Sequence, residues 1–218
     1  DLVSLQRNHP VLGSISLNVD VNTPDSNTIF DNTIAISPVA IIANRGTGKE
    51  NVTYSELQHH FVTGRFPTGE NFTAVTRDAG SGTRNACNNA LAIDPTWGAG
   101  DGIGDQITSN DQTRLGPLYQ PTNCGGSGFM EQVVQESRLG IGYTGYFGGS
   151  RAVGDANAGL YEILNVKKDV AGATEFVRPT LNNILDNSDV NTGYQVTASQ
   201  TLATVGDPFG PGNGNPPM

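Results

Sequence analysis

The stretch VTRDAGSGTRNAC, residues 75–87, constrains the fold more than any other part of the chain. Before it, FTAVTR (72–77) alternates apolar and polar residues as a strand does; after it, TRNACNNALAI places Ala86, Cys87, Ala90 and Leu91 at helical spacing. A strand that passes through Gly-Ser-Gly directly into a helix belongs to an α/β architecture. The same grammar returns in GGSGFMEQVVQESRLGIGYTGY (125–146). There Phe129, Met130, Val133 and Val134 form one helical stripe, Gly140 is expected to terminate the helix, and IGYTGY reads as a strand.

The other elements follow the same reasoning. TIAISPVAIIAN (33–44) is an apolar run expected to be a buried strand, with Pro38 marking an edge, bulge or crossing point. RGTGKENV (45–52) reads as a loop. TYSELQHHFV (53–62) predicts a helix opened by a capping box, Thr53 with Glu56, and carrying Tyr54, Leu57 and Phe61 on one face. His59 and His60 are adjacent, so they point apart and cannot share a metal; they are read as surface or half-buried side chains. LYEILNV (160–166) is expected to be a strand, EFVRPTLNNILDN (175–187) a helix after Pro179, and GDPFGPGNGNPPM (206–218) an extended tail. The loop 94–106 carries Asp94, Asp101 and Asp105 without the EF-hand spacing, so no metal is assigned.

Charge narrows the partners. A formal net charge of −9 over 218 residues excludes nucleic acid, which needs a basic surface to displace counterions. No run approaches the roughly 20 apolar residues that span a bilayer. The sequence starts at Asp1 without a signal peptide and reads as a processed or excised product. Cys87 and Cys124 are either a disulfide or two buried thiols. Asn51-Val52-Thr53 and Asn71-Phe72-Thr73 fit the glycosylation sequon.

The chemistry of the first turn has two readings. Gly-Ser-Gly can simply connect strand to helix, with Ser81 or Thr83 as N-cap. Alternatively it cradles an anion. The first backbone N–H groups of a helix lack intrahelical partners, and the helix dipole adds positive character there. Gly82 permits close approach, Ser81 and Thr83 add hydroxyls, and Arg77 and Arg84 supply planar forks for a tetrahedral oxyanion. Two bracketing arginines favour the anion. There is no Walker A motif and no G-x-S-x-G elbow, and His9, His59 and His60 have no recognisable nucleophile partner, so no enzymatic activity is expected.

R-x-x-G-S-G-T-R (77–84), preceded by SPVAIIAN (37–44) and LQHHFVTGRF (57–66) and followed by LGIGYTGY (139–146), resembles the phosphate-binding proteins of bacterial ABC phosphate uptake. The resemblance runs over residues 33–146. It implies a periplasmic-binding-protein-like fold of two α/β lobes, without cofactor. By position, Arg77, Ser81, Gly82 and Thr83 would contact the anion, with Ser127 as a further contact. Ala79 stands where many members carry an aspartate, and Asp78 precedes it.

On this basis residues 1–34 form a partial first lobe, 35–146 a complete second lobe, and 147–205 a return to the first. The implied function is capture of phosphate or a similar oxyanion, in the periplasm or outside the cell, for delivery to a membrane ABC transporter. The alternative is an extracellular structural protein that reuses the fold and self-associates.

Overall fold

The computed structural model describes residues 22–23, 28–70, 72–78, 81–93, 124–146, 151–186 and 188–205. The Asp-bearing loop 94–106, the tail 206–218, Asn71, Ala79, Gly80 and most of residues 1–27 lie outside the described residues.

The chain divides into two compact units, residues 36–198 and residues 1–35 with 199–218. The larger is organised on β1 (Ile29–Ala43), whose apolar half enters it from residue 36. Val39, Ala40, Ile41, Ile42 and Ala43 are all buried, as a run without alternation requires of a strand covered on both faces. β1 pairs antiparallel with β4 (Gly140–Gly145), Val39 opposite Gly145 through Ala43 opposite Ile141. β4 pairs in parallel with β3 (Thr73–Ala74) on its far edge. On the other edge of β1, β5 (Glu162–Ile163) is antiparallel at Ile42 and Ala43, and Val39 N–H donates to Val196 O at 2.9 Å. Pro38, which has no N–H, sits just before this pairing begins.

Five α-helices are present among the described residues, besides a short 3-10 turn at Arg45–Thr47. α1 (Tyr54–Thr63) starts with the expected capping box: Thr53 Oγ1 accepts from Glu56 N–H at 3.2 Å and Glu56 Oε2 from Thr53 N–H at 2.8 Å. Such a cap stabilises a helix by about 1 kcal/mol. α2 (Gly82–Ala90) and α3 (Ser127–Glu136) both pack on β4. The packing of α3 is close because Gly142 lacks a side chain: a Cβ there would lie 3.0 Å from Val134 Cγ2 and 3.1 Å from Val75 O. α3 ends at Glu136, four residues before Gly140, which opens β4 instead of stopping the helix. Asn44 secures that end, its Nδ2 donating to Val134 O at 2.9 Å and Gln135 O at 2.7 Å.

Residues 151–198 pack in this same unit, because their strands pair with its strands. The expected strand 160–166 is split at Leu164: β5 lies on β1, whereas β6 (Asn165–Lys167) forms a separate parallel pair with β2 (Asn51–Thr53). α4 (Arg151–Asn157) buries only Ala152 and Ala156. α5 (Leu181–Leu185) is capped by Thr180 and follows Pro179 as expected. In the smaller unit the first part of β1 runs with β7 (Thr197–Val205), and Asn32 Nδ2 donates to Leu202 O at 3.4 Å. No helix among the described residues is long and apolar enough to cross a membrane.

Cys87 and Cys124 are free thiols, both fully buried. Burial pushes the Cys124 thiol up to about 12, with Arg77 opposing the shift.

Candidate functional site

Arg77 follows β3, ahead of the first Gly-Ser-Gly turn, and its side chain reaches the second. Its N–H donates to Tyr143 Oη at 3.1 Å, Nε to Cys124 O at 2.8 Å, and Nη1 to Ser127 Oγ at 2.9 Å. Nη2 pairs with Asp78 Oδ1 at 3.3 Å. Its side chain is 12% exposed. A guanidinium has five N–H donors. Three are used here among the described residues, which leaves one on each terminal nitrogen without a partner among them. Arg77 therefore supplies a fixed fork rather than a freely swinging one.

The start of α2 is built by Ser81. Its N–H donates to Asp78 O at 3.1 Å, and its Oγ accepts the N–H of Arg84 at 3.2 Å, so it is the N-cap. Among the described residues the hydroxyl hydrogen of Ser81 has no acceptor and its second acceptor direction has no donor. Gly82 is exposed and Thr83 half-buried, and neither N–H has a protein acceptor among the described residues. These are the orphan donors of a helix N-terminus, where the dipole favours an anion.

Arg84 lies on the first turn of α2 and is buried. It is 2% exposed, on the inward side of α2 with Cys87 and Asn88, three and four residues on. Its charge acts from beneath the turn; it helps to lower the Tyr143 phenol, which burial raises far above its usual value. Ser127 also differs from a simple N-cap. Gly126 is the N-cap of α3 and makes no side-chain cap bond; Ser127 is the first helical residue and its hydroxyl takes Arg77. The structure thus brings Arg77, Ser81, Gly82, Thr83 and Ser127 to two neighbouring helix starts joined by one guanidinium, with Arg84 buried behind.

Two residues beside these turns were not anticipated. Glu131, 5% exposed, accepts from Thr144 Oγ1 at 2.6 Å and pairs with Arg151 Nη2 at 2.9 Å. Arg151 lies against the first turn of α3, where a Cβ on Gly128 would fall 2.8 Å from Nη2. Glu131 left a faint signal, a charge flanking an apolar stripe; Arg151 left none, because only the fold brings it to α3.

His60 is fully buried between the Phe61 and Phe66 rings, with centroids 5.2 and 5.3 Å away. Neither ring nitrogen attains hydrogen-bonding geometry. Burial lowers its pKa to about 4, opposed in part by the nearby Ile141 backbone. His59 is exposed, so the two histidines do point apart.

No protein-family model matches this sequence, and no curated protein matches it significantly. Solved structures do match its fold. A possible phosphate binding protein from Planctomyces limnophilus superposes with a TM-score of 0.55 at 15% identity, over 81% of this chain and 56% of that one. An ABC-type phosphate transport receptor from Vibrio cholerae gives 0.54 at 16%, over 88% and 66%. PstS from Borrelia burgdorferi gives 0.50 at 16%, over 81% and 60%. The chain has the α/β fold of the phosphate-binding proteins of ABC phosphate transport, as the sequence motifs imply. It spans less than two thirds of the length of these neighbours.

Proposed function

We propose that this chain is a substrate-binding protein, or part of one, that captures phosphate or a similar tetrahedral oxyanion without catalysis. The observation that carries the reading is the start of α2: among the described residues the Gly82 and Thr83 N–H groups have no protein acceptor, and the Arg77 fork is held nearby. Backbone donors, the Ser81 hydroxyl and a guanidinium suit an oxyanion, which accepts hydrogen bonds in several directions. In this reading Arg77, Ser81, Gly82 and Thr83 touch the anion, Arg84 adds charge from below, and Ser127 orients Arg77. The fold likeness supports the same role, with an ABC transporter as the receiving partner and a periplasmic or extracellular place of action. None of the three neighbours is described as a structural or self-assembling protein.

Calorimetric titration with inorganic phosphate, sulfate and molybdate tests it. Wild type should bind at least one of them. Arg77→Lys, which keeps the charge and loses the fork, should weaken binding by roughly tenfold or more. Absence of heat from all three anions with wild type would falsify the proposal.

A further inference from the structure

Glu131 is a buried carboxylate on a helix whose other inward residues are apolar. Burying an ion pair is costly, and a pair of apolar side chains would staple α3 to its neighbours at least as well. What the carboxylate does that an apolar group cannot is aim a guanidinium. Its two oxygens are divided between Thr144 Oγ1, at 2.6 Å, and Arg151 Nη2, at 2.9 Å. Thr144 is itself 1% exposed on β4, so the carboxylate is anchored to the sheet.

The Arg151 side chain remains 63% exposed although one of its nitrogens is clamped. Its Nη1 lies 3.0 Å from the point that a Cβ on Gly128 would occupy. Neither Nη1 nor Nε has a protein acceptor among the described residues. One residue earlier, Ser127 Oγ holds Arg77 Nη1 at 2.9 Å. Two guanidinium groups from distant parts of the chain therefore reach consecutive residues of α3. Both are held by a carboxylate on one side, and both keep N–H groups without an acceptor among the described residues.

We propose that Arg151 is a second guanidinium contact of the oxyanion site, and that Glu131 is its positioning residue. The inference rests on the anion reading above and extends it from the start of α2 to the first turn of α3. Arg77 is largely enclosed and committed to three protein acceptors. Arg151 is the solvent-facing cation that meets the incoming anion and shares its charge. Gly128 belongs to the same device, since any side chain there would displace the guanidinium.

The competing reading is that Arg151 and Glu131 merely join α4 to α3. Three variants separate the two. Arg151→Lys keeps the ion pair and hence the fold, but loses the second nitrogen that faces Gly128. Glu131→Gln keeps the charge of Arg151 and releases its aim. The double change Glu131→Gln with Arg151→Met removes both charges together. For each, the affinity for inorganic phosphate, its dependence on salt concentration, and the thermal midpoint are measured.

The expected result is about a fivefold to tenfold loss of phosphate affinity for Arg151→Lys with little change in midpoint. Glu131→Gln should weaken affinity while retaining the salt dependence. The double variant should lose both affinity and part of the salt dependence, which a purely structural pair would not produce. Wild-type affinity in Arg151→Lys and an unchanged salt dependence in the double variant would overturn the Arg151 role alone. Absence of binding by wild type to phosphate, sulfate and molybdate would overturn the anion reading and this extension together.

Discussion

The two Gly-Ser-Gly turns open helices of 9 and 10 residues that pack on the same strand, yet their serines are used in opposite ways. Ser81 faces its own helix and caps it; Ser127 ignores its helix and holds Arg77. The difference lies in one residue of register. Ser81 precedes the first helical residue, whereas Ser127 is the first helical residue, with Gly126 as an N-cap that has no side chain to offer. A serine in the N-cap position bonds to the N–H groups of the first turn. One position later its hydroxyl points outward and becomes an acceptor for something else. Among the described residues the first turn leaves its Gly82 and Thr83 N–H groups without a protein acceptor. The second turn fixes Arg77, which in the proposed function meets the ligand.

Removing Arg77 tests this division most severely. Arg77→Ala withdraws the link between the turns and breaks a largely buried pair with Asp78, and should cost about 3–5 kcal/mol in urea denaturation. A loss under about 1 kcal/mol would mean that the turns are held apart from Arg77 and the comparison has no shared hub.

Acid should disturb both turns together, because His60 packs beneath β4, the strand on which both helices lie. Its folded pKa of about 4 is below the ordinary 6.5, so the unfolded chain takes up the proton first. Stability is therefore full above pH 6.5, falls as the pH drops toward 4, and levels off below that. The contribution is at most roughly 3 kcal/mol. His60→Leu should flatten this arm of the stability–pH curve. A His60→Leu curve that still falls over the same interval would assign the acid sensitivity elsewhere.

The serines themselves give a smaller and more diagnostic contrast. Ser81→Ala should lower stability by about 1 kcal/mol through the lost cap. Ser127→Ala leaves the capping of α3 untouched, and its effect should appear as weaker oxyanion affinity when Arg77 loses its anchor. Equal stability losses in both variants would show that the one-residue offset has no consequence.

The glycines give the smallest effect. A methyl at Gly82 meets nothing within 4 Å, so Gly82→Ala should change stability by less than about 0.5 kcal/mol while crowding the ligand position. Gly128→Ala pushes Arg151 away from Glu131 and should cost about 1 kcal/mol. Reversed magnitudes would place the open turn at α3 instead of α2.

Much of this was legible locally. The capping box of Thr53 and Glu56 needs only four residues, and the apolar stripes of α2 and α3 need only ten, so the pattern alone carries them. The burial of His60 was within reach as well: it lies three residues after Leu57 and beside Phe61, on the face that α1 turns inward. β2, β5 and β6 were harder. Strands of two or three residues have no periodicity of their own and exist only through their ladder partners. α4 was missed because its seven residues include Gly154 and offer only Ala152 and Ala156 to the core. In the site, the turn and its arginines could be read, but not that Arg84 is buried and that Arg77 binds Ser127.

What the sequence determined by itself was the strand–turn–helix alternation, the positions of the two turns and the oxyanion-seeking residue types, because hydrophobic period, caps and glycine act over a few neighbours. The tertiary structure alone decided that Arg84 goes inside, that Arg77 joins both turns, and that Arg151 comes to lie over Gly128. Those outcomes depend on which helix face meets β4 and on residues far apart in the chain. Local chemistry sets what a side chain can do; only packing sets what it is placed against.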